Sequence, residues 1–347
     1  MTDRSTIYQV ARLSGVSTAT VSRVMREGSG FSAETRDRVL KVAAELGWVP
    51  SGPARSLASR RAGIVGLLFP DLDQSGDAEA ESPLYVDEVI RGAERAATSV
   101  GDAVLIAATH SSSGRQLAFS VAGKVDGLVV MARSLSERDI AAIARSVPVV
   151  LLAHRARRGL DVVGVDNRGG AREITNHMIE THRCREIAFV GGPARSPDSV
   201  ARFAGFQDAL RTAGLPVPDD PDAAGGFTES GGARAMRELL ARDRRPQAIV
   251  FGNDEMAIGA LGVLRAARIR VPADIAITGF DDIAAARHVR PTLTTVRQPM
   301  RQLGEQSVRL LLERLDQPDV PRRSITLPVQ IVPRRSCGCH TVERTAV

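Results

Sequence analysis

Aromatic residues are scarce: one Trp, two Tyr and nine Phe make up 3% of the 347 residues. Few rings are therefore available to stack on a base or wall a ligand. Lysine is nearly absent, with Lys41 and Lys124 the only two, so a formal net charge of +6 rests almost wholly on arginine. Three cysteines, Cys184, Cys337 and Cys339, form an odd set without metal-ligand spacing, as suits a reducing compartment. The Cys-Gly-Cys run has no other ligand beside it in a terminal tail, so no metal is expected there. There is no run of about eighteen apolar residues, and no basic start leading into an apolar segment and a cleavage site. The expectation is a cytoplasmic chain with no membrane partner. Also missing are a P-loop, a strand followed by GxGxxG, a nucleophile elbow and a paired metal-ligand His. An enzyme is not expected, and neither catalytic residues nor cofactors are assigned.

What remains is a globular balance, 25% charged and 43% hydrophobic, in a chain long enough to need more than one core. Residues 1–60 hold nine Lys or Arg against five Asp or Glu. Most of the positive excess thus sits in the first sixth of the chain, which favours a nucleic-acid-binding end.

Residues 6–47 read as three short helices. Thr6 and Gln9 have capping-box spacing, and Gly15 ends the first helix. Ser17 caps a second helix from Thr18 to Met25, with Val21 and Val24 turned inward toward Val10. Ser32 caps a third, with a stripe of Val39, Val42, Ala43 and Leu46 before Gly47. Helix, glycine turn and second helix form a helix-turn-helix pattern. The second helix begins small and polar, so Thr18, Ala19, Ser22 and Arg23 can approach base edges, with Arg23 suited to guanine. A small helical protein–protein module would show the same bare pattern.

Residues 51–61 are rich in Pro, Gly, Ser and Arg and read as a linker between a domain over 1–50 and the rest. From residue 62, β-branched runs alternate with helices. IVGLLF (64–69), AVLIAA (103–108), DGLVVM (126–131) and PVVLLA (148–153) read as buried parallel strands. VVGVD (162–166), EIAFVGG (186–192), AIVFGN (248–253) and DIAITGF (274–280) form a second series. The expected fold is an all-α helix-turn-helix domain followed by an α/β domain of two doubly wound parallel-sheet lobes. The first lobe is expected over about 62–161 and 293–322, the second over about 162–292 and 323–335. An acidic loop, 71–83, interrupts the first βα connection; it reads as a solvated insertion or a cover over a cleft. Ligands in such folds sit at strand carboxyl ends, where Arg202, Asn253 and Asp281 fall. Read singly, these are equally a surface arginine, a helix cap and a turn residue.

The run Ala11, Gly15, Val16, Ser17, Thr20, Val21, Ser22, Arg23, Val24 resembles the DNA-binding signature of the LacI/GalR repressor family. That resemblance implies that Thr18, Ala19 and Arg23 discriminate operator bases, with Thr6, Ser17 and Ser22 in the same DNA-facing set. It makes PARSLAS (53–59) a hinge helix and Leu57 a minor-groove wedge, a role open to an apolar side chain with no core to join. The lobes resemble periplasmic sugar-binding proteins. By the same comparison Arg202, Asn253 and Asp281 hold an effector, Phe227 packs on it, and Tyr85 and His154 meet it from the first lobe. The implied protein is a homodimeric, sequence-specific repressor whose hold on operator DNA is modulated by a small molecule, a carbohydrate by expectation. An activator, or a corepressor-dependent regulator with a non-sugar ligand, uses the same parts.

Overall fold

The computed structural model describes residues 5–27, 31–48, 61–70, 83–109 and 114–339. The hinge segment with Leu57, and the acidic loop apart from its last residue, lie outside the described residues. Contacts divide the chain into a small unit ending at Gly63 and a large one from Ile64 onward.

The small unit consists of α1 (Ile7–Ser14), α2 (Thr18–Glu27) and α3 (Ala33–Glu45). Local chemistry sets their ends. The Thr6 backbone N–H donates to Gln9 Oε1 at 2.8 Å, and Gly15, at φ 69°, adopts the left-handed turn that stops α1. Ser17 Oγ accepts from the Thr20 N–H at 3.1 Å, and Ser32 Oγ from the Thr35 N–H at 3.2 Å, each meeting a helix-start donor. Val10, Val21, Val24, Val39 and Ala43 form the core. Arg38 Nε donates to the Ser14 carbonyl at 3.0 Å and ties α3 to the end of α1.

The large unit holds two parallel sheets. The first runs in the order β2 (Ala103–Thr109), β1 (Ile64–Pro70), β3 (Gly127–Met131), β4 (Val149–Leu152), β5 (Asp161–Val165), β11 (Ser324–Leu327). The second runs β7 (Ala223–Ala224), β6 (Ile187–Gly191), β8 (Ala248–Phe251), β9 (Ala276–Thr278). An antiparallel pair, β10 (Thr295–Arg297) and β12 (Gln330–Val332), joins the second sheet through single bridges at Thr278–Thr294 and Asp281–Arg297. Helices α4 (Pro83–Thr98), α5 (Gly114–Ala122), α6 (Glu137–Ile143) and α11 (Met300–Asp316) belong to the first lobe. Helices α7 (Asn167–Glu180), α8 (Pro197–Thr212), α9 (Glu229–Leu240) and α10 (Asp254–Ala266) belong to the second. Among the described residues no helix is long and apolar enough to cross a membrane.

The sequence-based lobe boundaries need correction. Residues 162–165 and 324–327 were expected in the second lobe, yet β5 pairs with β4 and with β11 in the first sheet. Conversely β10, expected in the first lobe, lies with the second. The stretch 324–332 forms two strands serving different sheets. Apolar periodicity marks a buried strand but carries no information about which sheet receives it. The crossings fall at Asp166, whose Oδ1 caps α7 by accepting from the Gly169 N–H at 2.8 Å, at 298–299 and at 328–329.

Asp161 anchors the rejoined edge. It is fully buried, and Arg314 of α11 donates to its two oxygens at 3.0 and 3.2 Å while the Arg323 N–H donates at 2.7 Å. Helices α4 and α11 also pack without clearance: a Cβ on Gly92 would strike the Arg301 carbonyl, and one on Gly304 the Val89 carbonyl. Replacing Asp161 leaves a buried guanidinium without its anion, so Asp161→Asn is expected to cost about 3–5 kcal/mol. Urea unfolding of the two proteins measures it, and a loss below about 1 kcal/mol would show that the pair is replaceable by solvent.

Candidate functional site

Helix α2 presents two faces. Val21 and Val24 are buried, whereas Ser17, Ala19, Ser22 and Arg23 are exposed and Thr18 is half-exposed. The exposed side chains form a small polar surface with one cation, and the Arg23 guanidinium lies over the Phe31 ring at 5.7 Å. Thr6 is exposed at the start of α1.

Between the lobes of the large unit, Tyr85, Asp198, Arg202, Phe227, Asn253, Asp281 and Gln298 converge. Arg202 is central and 3% exposed. Its Nε donates to Asn167 Oδ1 at 2.8 Å and its Nη1 to the Gly252 carbonyl at 2.6 Å, with Asp281 Oδ1 3.3 Å from Nη1. The Phe280 ring centre lies 3.8 Å from the guanidinium carbon and that of Phe227 5.6 Å away. Asn253 serves twice: its Oδ1 caps α10 by accepting from the Met256 N–H, and its Nδ2 donates to the Phe227 carbonyl, both at 3.0 Å. Gln298 Nε2 donates to Asp281 Oδ1 at 2.6 Å. Phe227, Asp281 and Asp282 take φ of 66°, 121° and 58°, left-handed conformations that surrounding contacts must enforce in non-glycine residues.

Carboxylates outnumber the cation. Burial pushes the Asp281 carboxyl up to about 7, although Arg202 and the Gln298 amide pull it down. Burial likewise raises Asp198, against the pull of Arg202, and raises Asp254 well above the carboxylate range, with nearby Asp281 adding to it. Free space among the lining groups is about 10 Å³, room for roughly one water. Admitting a larger ligand requires the lobes to part.

Five of the six residues expected to hold an effector therefore meet at one place. The sixth, His154, is not among the lining residues; its Nε2 lies 3.3 Å from Glu137 Oε1. Arg202 is not a surface arginine, while Asn253 caps a helix and Asp281 shapes a turn in addition to lining the cleft. Sequence reasoning missed Asn167, Asp198, Phe280 and Gln298. Asp198 lay within reach, since it precedes Arg202 by one helical turn on α8. A larger cavity of about 560 Å³ opens elsewhere on the second lobe, beside Gly191, Pro221 and Arg234. It lacks the convergent buried polar groups of the inter-lobe cleft, so chemistry favours the smaller space. The expectation that Cys337 and Cys339 lack further ligands also fails: His177 and His182 stand beside them. These residues are some 160 positions apart in sequence, and only the return of the chain past β12 brings them together.

A helix-turn-helix unit joined to two lobes around a polar cleft defines a DNA-binding regulator governed by a small molecule. Residues 6–51 match the bacterial regulatory proteins of the lacI family, and residues 175–337 match the periplasmic binding protein-like domain. The ribose operon repressor of Escherichia coli (strain K12) is 32% identical over 96% of this chain and 99% of its own. The lac repressor dimer bound to operator and the anti-inducer ONPF superposes with a TM-score of 0.82 at 27% identity, covering 96% of this chain and 99% of that one. A transcriptional regulator CelR–cellobiose complex gives a TM-score of 0.70 at 32% identity, with 96% and 100% covered. The chain belongs to the LacI family of transcription regulators.

The elevated Asp281 carboxyl has a stability consequence. From about pH 4 to about 7 the native chain keeps a proton that the unfolded chain has released, so stability falls as pH rises through that window. Asp281→Asn is expected to flatten this slope in part, since Asp198 and Asp254 are raised in the same direction. Urea unfolding at roughly pH 5 and roughly pH 8 compares the slopes; an unchanged slope would mean that Asp281 is ionised throughout.

Proposed function

We propose that this protein is a homodimeric repressor that reads operator DNA with α2 and releases it when a carbohydrate occupies the cleft around Arg202. The carrying observation is the convergence on Arg202 of Asp281, Asn253, Phe227 and Tyr85, contributed by both lobes. A fork of N–H donors beside a carboxylate suits vicinal hydroxyls, each of which both donates and accepts. The flanking rings suit the apolar face of a sugar. Two relatives point to the same ligand class, the ribose operon repressor by its name and CelR by its bound cellobiose.

For the DNA-facing set, support comes from the exposure of Ser17, Ala19, Ser22 and Arg23 along one face of a rigidly cored helix, the geometry of a recognition helix in the major groove. A dimer is supported by β2, the edge strand of the first sheet among the described residues, where Ile106 is 47% exposed, and by Phe119, 40% exposed, on the adjoining α5. Apolar surface on an open sheet edge calls for a partner. Coupling follows because a ligand that binds one lobe arrangement more tightly shifts the population toward it.

Arg202→Ala is expected to retain operator binding and to weaken the response to the inducing sugar by roughly 10- to 150-fold, the value of a charge-assisted contact of about 1.5–3 kcal/mol. A mobility-shift titration over a sugar panel reads both, and a normal response in the variant would remove the cleft assignment. Arg23→Ala is expected to lose about 1–3 kcal/mol on the operator but little on unrelated DNA. Equal losses on both DNAs would reduce Arg23 to a phosphate contact.

A further inference from the structure

At the pole of the second lobe away from the cleft, four side chains with metal-ligating atoms meet: His177, His182, Cys337 and Cys339, all within 4.8 Å of one another. His177 lies in the last turn of α7 and His182 in the bend just beyond it. Cys337 ends a short 3₁₀ turn, and Gly338, at φ 106°, reverses the chain so that Cys339 returns to the same side. A side chain at 338 would be strained, and its Cβ would approach His182 Nδ1 at 3.3 Å.

Four of the six separations among the ligand atoms are those of a coordination shell. The two Nε2 atoms are 3.2 Å apart; Cys337 Sγ is 3.5 Å from His177 Nε2, and Cys339 Sγ is 3.5 Å from both Nε2 atoms. Tetrahedral zinc, with bonds of about 2.0–2.1 Å to nitrogen and 2.3 Å to sulfur, places its ligands about 3.3 Å apart for two nitrogens and about 3.6 Å for nitrogen and sulfur. The Cys337 thiol also faces the Arg334 carbonyl at 3.3 Å, but hydrogen bonding does not account for the crowding at His177. His177 Nε2 faces His182 Nε2 and both thiols at once, whereas a neutral ring nitrogen has one proton or one lone pair to offer. One central cation satisfies all four atoms together.

We propose that His177, His182, Cys337 and Cys339 form a structural zinc site that fastens the segment after β12 to the end of α7. Two thiolates and two imidazoles select a borderline-soft ion over magnesium, calcium or manganese, and four protein ligands leave no open position for catalysis. Cys337 is 2% exposed and packs with Met178, Ala248 and Ala276 beneath the second sheet. The third cysteine, Cys184, packs nearby against Cys337 but is not among the four clustered ligand atoms, its Sγ facing the His182 carbonyl at 3.8 Å, and it serves as a control.

The test uses the full chain without an affinity tag, purified under reducing conditions without chelator. Elemental analysis is expected to give one zinc per chain. Cobalt exchanged into the site is expected to show intense tetrahedral ligand-field bands and thiolate-to-cobalt charge transfer. These read the wild-type chain directly, so the outcome does not depend on any variant folding. Cys339→Ser and His182→Asn are expected to weaken zinc more than about 100-fold in competition with a chelator, beyond the usual cost of losing an outer-shell partner; Cys184→Ser is expected to keep it. A reduced wild-type chain that takes up neither metal overturns the proposal. So does an octahedral cobalt spectrum without thiolate charge transfer, or zinc affinity unchanged in both ligand variants.

Discussion

A guanidinium withdrawn from water must find partners for its donors and cover for its faces, and Arg202 obtains them from four separate segments. Asn167 begins α7, Gly252 follows β8, Asp281 follows β9 and Phe227 precedes α9. Seating one cation thus aligns the carboxyl-terminal edge of the second lobe. The unusual backbone angles at Phe227, Asp281 and Asp282 are understandable in that light. A strained loop persists where breaking its contact would strand a buried charge.

The same cation sets the acid–base character of the cleft. Asp198 and Asp281 share one buried counter-charge, and Asp254 lies beside Asp281 and Asp282, so dehydration outweighs ion pairing and their protons are held more tightly than usual. Away from the cleft the balance differs. Asp282 is buried beside Arg287, Arg297 and Arg334, an excess of cations that joins the loop after β9 to β10 and to the segment leading into Cys337. Helix α7 forms a second connection, running from Asn167 beside Arg202 to His177 ten residues later, roughly 15 Å along its axis. The ligand cleft and the proposed zinc site are therefore two ends of one rigid element.

Features governed by near neighbours in sequence were legible. Gly15, Ser17, Ser32 and the Thr6–Gln9 pair end or begin helices through contacts spanning three or four residues, and the inward valines of α2 follow from helical periodicity alone. Arg202, Asn253 and Asp281 were placed near strand ends by the fold pattern and assigned to the effector by resemblance, and the structure brings the three together. Gln298 gave no signal, since its part depends on β10 lying beside β9. The destination of β5 and β11 was hidden for the same reason: a valine-rich run suits either sheet. His177 and His182 carried no reading in the sequence, and Cys-Gly-Cys read as a terminal tail. His154 was placed by resemblance; its Nε2 lies beside Glu137 Oε1, outside the residues that line the cleft.

The three crossings between lobes have a consequence for how the chain is made. The first sheet is completed only by β11, and the second only by β10 and β12, so neither lobe is contiguous in sequence. The helical unit can assemble as soon as it leaves the ribosome, whereas both lobes must wait until nearly all of the chain has been synthesised. Their open sheet edges stay unpaired for most of that interval, when wrong strand partners are easiest to acquire.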